Sequence, residues 1–527
     1  MSALPSSSSR QIARSSGVVM VGFVLSAVTG LVSQILISRA FGTSPELDAF
    51  IAGNRLPEIL FALIGGGALA SAYLPTLSTF ITRKDEEGAW RLTSAIVNLL
   101  IVILGVLSAL AWLAAPWIVR HFLAPGFDNL EQINLTVRLL RIMLLSPVVF
   151  GASGLLMATL NAHQHFLFPA LAPASYRLGQ ILSLLFLVPR FGVIGLAWGA
   201  VLGSFLHLLV QLPAFMRLRP QLRLEFGLAM PEVRQVGRLM APRLLGVAVV
   251  QLNFLVNTII ASGQPEGSLA ALNFAWQLMY MPQAVIAQAI AIAALPTFSA
   301  QVARGEFDAL RSTLATTVRG VIFLSLPASL GLILLRQPIV ALLFERGFFT
   351  AESTSLVAWA LLWYALGLLG HALLEVIVRG FYANQDTRTP VLVGAGAMSL
   401  NIILSLLFSA LFTRVGWPPH GGLALANSLA TALESLALLW LLGRQLSGLD
   451  FERIRGGLAR IALASGAMVV ALVAWLWLAG DFSAWLQGGA GVLFGLVVYW
   501  IAAYGMKVPE ARQFTSIFLR RGSRLKG

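Results

Sequence analysis

Cysteine is absent from the 527 residues, which excludes disulfides, thiolate metal sites and cysteine nucleophiles. Charge is scarce: Asp, Glu, Lys and Arg make up 11%, against about 25% in a soluble protein. The six histidines are scattered. The close pair His163 and His165 has no carboxylate or cysteine cluster beside it, so no metal site is expected. No P-loop, GxSxG, HExxH or Rossmann glycine pattern occurs in a suitable context. Neither a catalytic residue nor a cofactor is therefore expected, and the chain has no visible means of burning ATP. Transport would draw on an ion gradient, the membrane potential or the substrate's own gradient.

What replaces charge is apolar surface, 58% of the residues. That balance implies an all-α polytopic membrane protein rather than a string of soluble domains. The polar start, residues 1–15, reads as a disordered cytoplasmic leader. The apolar run Gly17–Ala40 is too long for a signal-peptide core and reads as a span that stays in the membrane. At about 20 residues per crossing, fourteen spans are expected, at 16–39, 47–77, 92–118, 138–160, 168–188, 193–215, 239–262, 268–298, 315–335, 354–378, 390–412, 421–443, 458–479 and 484–506. Two of them, 47–77 and 268–298, are too long for a straight crossing and should bend or tilt.

The net charge of +14 would suggest nucleic acid in a soluble protein. Here its location argues otherwise. With the N-terminus inside, 26 Lys and Arg fall on the cytoplasmic side, 8 on the other and 2 (Arg55 and Arg177) within spans, which accounts for all 36. This satisfies the positive-inside rule with both termini cytoplasmic. The surplus is an orientation signal and a contact for anionic membrane lipids; no nucleic-acid partner is needed.

The chain repeats itself. Leu74–Ala89 resembles Leu295–Leu310, with Pro75 and Pro296 221 residues apart. Ala162-x-Gln164-x4-Pro169 recurs as Ala383-x-Gln385-x4-Pro390 at the same offset. Six spans, an even number, separate equivalent points, so the halves are a parallel repeat. The expected organisation is a leader at 1–15, a six-helix lobe at 16–215, a basic cytoplasmic linker at 216–238 and a second six-helix lobe at 239–443. Two extra transmembrane helices follow at 444–506, then a basic cytoplasmic tail at 507–527.

One stretch organises the rest: Asp48–Ser78, apolar enough to cross a bilayer yet interrupted by Asp48, Arg55 and Glu58. At about 100° per residue these three share one helical face. A charge at the bilayer centre costs roughly 2.5–3.5 kcal/mol on the insertion scale, so such a face meets a partner or a water-filled path. An internal Arg55–Glu58 pair that pins two helices is the plainer alternative. Gly65, Gly66 and Gly67 follow, where a helix can bend. Arg177 and Glu434 are also deep within spans, either in packing-embedded ion pairs or lining a cavity.

Several segments carry a resemblance: FGTSPELDAF (Phe41–Phe50), APGFD (Ala124–Asp128), PALAPASY (Pro169–Tyr176), APRLLGVAVVQLNFLVNTIIAS (Ala241–Ser262), LFERGFFTAES (Leu343–Ser353) and GFYANQDTRTPV (Gly380–Val391). In this order they resemble the MurJ (MviN) family of lipid II flippases, within the multidrug/oligosaccharidyl-lipid/polysaccharide exporter superfamily. The resemblance runs from about residue 16 through span twelve, and more loosely beyond. It implies a bacterial cytoplasmic-membrane protein working by alternating access, a cationic cavity lined by spans one, two, seven and eight, and a groove in spans thirteen and fourteen for a polyprenyl tail. Where members carry arginines in span one, this chain has Ala27 and Ser33, with Gln34 replacing an aspartate. The span-two arginine is Phe61, the span-eight arginine is Gln277, and Tyr280 replaces a glutamate. Asp48 is kept, Arg55 stands where relatives have Lys or Arg, and Glu58 replaces an asparagine.

The resemblance makes the substrate the lipid-linked peptidoglycan precursor, lipid II, moved from the inner to the outer leaflet. The expected binding residues are Arg55 for the pyrophosphate, Asp48 and Glu58 on the same face, and Ser33, Gln34, Asn54 and Gln277 as neutral hydrogen-bonding groups. The alternatives are another lipid-linked glycan, a cation-coupled antiporter using Asp48 and Glu58 as ion sites, or a scaffold that transports nothing. The coupling ion, if one exists, is not identified.

Overall fold

The computed structural model describes residues 6–65, 67–480 and 482–512, all helices and connecting turns without a strand among them. Eleven of the described helices are long and apolar enough to cross a membrane, twelve if the bent pair Pro231–Leu244 and Gly246–Ser262 is one span. These coincide with twelve of the fourteen expected spans. The other two, 47–77 and 168–188, fall short of that apolarity and length for physical reasons. The first is broken in its middle, and the second carries Pro169, Pro173, Arg177 and Gln180 along its length.

The chain forms two compact units, 1–269 with 346–348, and 270–345 with 349–527. In the first, α1 spans Ser6–Phe41. The helix thus begins within the expected disordered leader, since no Pro or Gly interrupts 6–16; residues 1–5 lie outside the described part. Pro45–Leu60 is α2, capped by the Ser44 side chain on the Leu47 amide with Pro45 in the first turn, a pre-organised start. A π-helical segment, Phe61–Gly65, then leads into α3, Gly67–Arg83. The remaining helices are α4 (Glu86–Leu113), α5 (Ala115–Ile118), α6 (Leu130–Met143), α7 (Ser146–Ala162), α8 (Leu167–Phe186), α9 (Val188–Phe191), α10 (Val193–Leu209), α11 (Leu212–Arg217) and α12 (Pro231–Ser262). The repeat assigns span seven, within α12, to the second lobe; in the structure α12 packs against α2, the 61–65 segment and α3 of the first unit.

Buried hydroxyls and close backbones hold this unit together. The Tyr73 hydroxyl, fully buried on α3, lies 2.7 Å from Thr93 Oγ1 on α4 and 3.0 Å from Thr159 Oγ1 on α7. A Cβ on Gly179 would strike the Gly203 backbone, so α8 and α10 touch main chain to main chain, as small residues allow between membrane helices. The linker is pinned to α4 by the ion pairs Arg91–Glu225 (2.8 Å) and Arg223–Glu87 (3.1 Å) and by Asn98, whose amide donates to the carbonyls of Arg223 and Glu225.

The second unit comprises α13 (Ser268–Gln283), a π-helical segment at Ala284–Gln288, and α14 (Ala289–Ala303). It continues with α15 (Phe307–Leu334), α16 (Arg336–Phe344), α17 (Ala351–Ala383), α18 (Arg388–Val415), α19 (His420–Gln445), α20 (Phe451–Leu478) and α21 (Gly491–Gly505). One apolar cluster joins α15, α17 and α19. Another joins α15 to α20 and α21, where the Tyr499 hydroxyl donates to the Phe323 carbonyl at 2.6 Å. Arg319 and the buried Glu510 form an ion pair that ties residues beyond α21 to α15. Leu463, Val470, Val473 and Trp477 on α20 are exposed, as a lipid-facing surface requires.

The sequence repeat is also a repeat of structure. Helices α4 and α15 are both 28 residues long and start 221 residues apart, at Glu86 and Phe307. The turns at Gln164 and Gln385 carry φ values of 61° and 59°. The two π-helical breaks are matched as well, beginning at Phe61 and Ala284.

Candidate substrate site

A π-helical turn inserts one residue into a helix and often marks a functional position. Interruptions at corresponding places in two halves of a transporter point to its binding region. Both criteria select α2 with its 61–65 break, and α13 with its 284–288 break. Pro57 and Pro282 lie just before them and remove backbone donors from the ladder. Gly65 closes the first break and Gly67 opens α3, while Gly66 lies outside the described residues.

On α2, Arg55 Nη1 donates to Glu58 Oε2 at 2.9 Å, and Asn54 Nδ2 to Glu58 Oε1 at 2.6 Å. Arg55 Nε reaches Thr258 Oγ1 on α12 at 3.2 Å, with the guanidinium 5.5 Å from the Phe254 ring centroid. The Arg55 side chain is 15% exposed and that of Glu58 49%. An i,i+3 ion pair of this kind adds only about 0.2–0.5 kcal/mol to a helix, so stability does not account for its presence. Thr258 and Phe254 were not legible as partners, being neutral residues about 200 positions away.

Asp48 sits elsewhere. It is 3% exposed, and Oδ2 accepts the Gly267 amide at 2.7 Å. Gly267 has φ +84° and lies against Thr43, so the carboxylate fastens the turn after α12 to the start of α2.

Ser33 on α1 is fully buried, and its hydroxyl donates to Gln180 Oε1 at 3.4 Å. Gln180 is a hub: Oε1 also accepts from Arg177 Nη1 at 3.0 Å, while Nε2 donates to the Tyr176 hydroxyl at 3.1 Å. Phe61, at a position where the resemblance implies arginine, packs at a tilt of 42° against Phe150 with 4.7 Å between ring centroids, and Phe150 contacts Tyr176 at 5.1 Å. Gln34 is half-buried on α1.

In the second unit, Gln277 Nε2 donates to Asn273 Oδ1 at 2.8 Å, and Tyr280 accepts from Gln288 within the 284–288 break at 2.9 Å. Glu434 on α19 is 8% exposed and lies beside Gly394 of α18. Arg379 pairs with Glu375 at 3.5 Å. An apolar cavity of about 480 Å³ opens between α13, α15, α16, α20 and α21, with Leu278, Met281, Leu332, Leu472 and Leu496 on its walls.

A family model described as "Lipid II flippase MurJ" matches residues 37–495. A lipid II flippase MurJ of Burkholderia cenocepacia is 32% identical over 421 residues, 79% of this chain and 80% of that protein. The chain belongs to the MurJ family. A probable lipid II flippase MurJ of Rhizobium tropici is 30% identical, covering 91% of each chain. Among solved structures, a lipid II flippase MurJ in an inward closed conformation superposes with a TM-score of 0.78 at 24% identity, over 92% of this chain and 97% of that one. An inward-facing MATE transporter of the MOP superfamily gives 0.69 at 16% identity, over 80% and 94%. The MurJ fold therefore holds here, with the broken helices of spans two and eight as its repeat-related pair.

Proposed function

We propose that this protein moves lipid II from the inner to the outer leaflet of a bacterial cytoplasmic membrane, with both termini cytoplasmic. Membership of the MurJ family, through the match over 37–495, carries this reading. The physical problem is to pass a pyrophosphate and a sugar-peptide head through roughly 30 Å of hydrocarbon. Arg55 is the first contact for the pyrophosphate, because a guanidinium offers a planar set of donors to phosphate oxygens. Glu58 holds that guanidinium when no phosphate is present, and Asn54 shares the carboxylate. Gln34 and Gln277 supply neutral contacts to the head group, while Ser33, buried against Gln180, serves by holding that glutamine. Asp48 serves the site by fixing the start of α2. The isoprenoid tail takes the apolar cavity beside α20 and α21.

Outward movement of an anionic head is favoured by an inside-negative potential, by about 2.3 kcal/mol per charge per 100 mV. If a coupling cation is used as well, Glu434 is a candidate carboxylate for it. Complementation of a strain depleted of its own lipid II flippase tests the reading. Growth and restored export of the precursor are expected. Stable membrane expression without rescue would favour another lipid-linked glycan or an antiporter.

A further inference from the structure

Arg177 carries a charge that no carboxylate among the described residues pairs with. It is the eleventh residue of the 20-residue α8, about 15 Å of helix from either end at 1.5 Å per residue. Arg55, Arg319 and Arg379 each contact a carboxylate. Arg177 has none within ion-pair distance among the described residues. It contacts Gln180 Oε1 at 3.0 Å and the face of Tyr176 at 5.6 Å. Of five guanidinium N–H donors, one is thus spent.

The side chain is nonetheless held in place. Gln180 is fixed by Ser33 of α1 and by the Tyr176 hydroxyl. The Arg177 Nε lies 3.8 Å from where a Cβ on Gly30 of α1 would stand. Tyr176 contacts Phe150, which in turn contacts Phe61 just after α2, so α8 and the break that follows α2 are linked through one aromatic cluster of the first unit. A charged group deep in a membrane helix, oriented but unpaired, is costly unless something else meets it.

We propose that Arg177 is a second anion contact of the first unit, specific for the pyrophosphate of a lipid-linked substrate and positioned by Gln180 and Tyr176. The assignment rests on the flippase reading above for the identity of the glycolipid, but the anion chemistry can be measured separately. Purified full-length protein in nanodiscs is titrated with three probes: farnesyl pyrophosphate, a short-chain lipid II analogue, and farnesol as the uncharged control. Parent, Arg177→Gln, Arg177→Lys and Arg55→Ala are compared.

Arg177→Gln is expected to weaken both pyrophosphate ligands at least tenfold and to leave farnesol unchanged, with Arg177→Lys intermediate. Arg177→Gln binding all three ligands as the parent does, or losing farnesol equally, overturns the assignment; in the latter case Arg177 is only a packing residue. Should Arg177→Gln not fold, Arg177→Lys decides: unaltered affinity for both pyrophosphates overturns the proposal, and selective weakening supports it. Parent protein that binds farnesyl pyrophosphate through Arg177 but ignores the lipid II analogue keeps the anion site and removes the lipid II reading. Loss of analogue binding in Arg55→Ala alone keeps that reading and removes Arg177.

Discussion

The Asp48 carboxylate and the Gly267 amide are joined at 2.7 Å across 219 residues of sequence. The bond is buried, and leaving such a buried donor without its acceptor costs about 1–3 kcal/mol. Asp48→Ala should therefore lower the thermal midpoint clearly, and Asp48→Asn, which keeps a carbonyl acceptor, should lower it less. Fluorescence-detected melting of the detergent-solubilised protein checks this. Transport per folded molecule should change less than stability, because Asp48 is spent on the turn rather than on a ligand.

Glu58 behaves differently because its side chain is half-exposed and grips Arg55. Glu58→Gln should fold normally, bind pyrophosphate lipid more tightly through the released guanidinium, and turn over more slowly. Binding titration alongside a flipping assay reads both effects. A drop in expression with unaltered affinity would mark the pair as structural.

Glu434 has no hydrogen bond or ion pair among the described residues, although it is 8% exposed. Burying a carboxylate without a partner is unfavourable. Glu434→Gln should leave the melting temperature unchanged or raise it, while any cation dependence of transport is reduced. A fall of several degrees would show that the carboxylate is held by something other than the described side chains.

The linker supplies a pH test. The hydrogen bond and charge of Arg91 hold the Glu225 carboxyl below its ordinary value of 4.5. Its contribution is thus fully present above pH 4.5 and is lost as pH falls through the lower folded value. Hydrogen-exchange protection of residues 219–230, taken relative to the intrinsic rate at each pH, should fall on acidification below about pH 4.5, and Glu225→Gln should lower that protection at neutral pH with a flatter acid response.

The class, the repeat and the charged face of α2 were legible because each is written locally: apolar runs, two proline-anchored matches at one offset, and three charges at helical spacing. The Arg55–Glu58 pair followed from that spacing. Asp48 was readable as a charge but not as a fastener, since its partner is a backbone amide with no side-chain signature. The π-helical breaks were foreshadowed only as an excess of length in 47–77 and 268–298; an inserted backbone residue leaves no mark of its own. Arg177 was open between ion pair and cavity lining, and only the folded structure shows that no carboxylate among the described residues pairs with it. Residues 168–188 were expected as a span on length, yet that same arginine, with Gln180 and two prolines, lowers their apolarity.

The central claim is that Arg55 of a MurJ-family protein meets the pyrophosphate of lipid II during flipping. Its most direct measurement is the rate at which labelled lipid II becomes accessible in the opposite leaflet of vesicles containing parent, Arg55→Ala or Arg55→Lys protein at equal folded amounts. Loss of a charge-assisted bidentate contact predicts at least a tenfold slower rate for Arg55→Ala and partial activity for Arg55→Lys. Arg55→Ala flipping lipid II at the parental rate would contradict it.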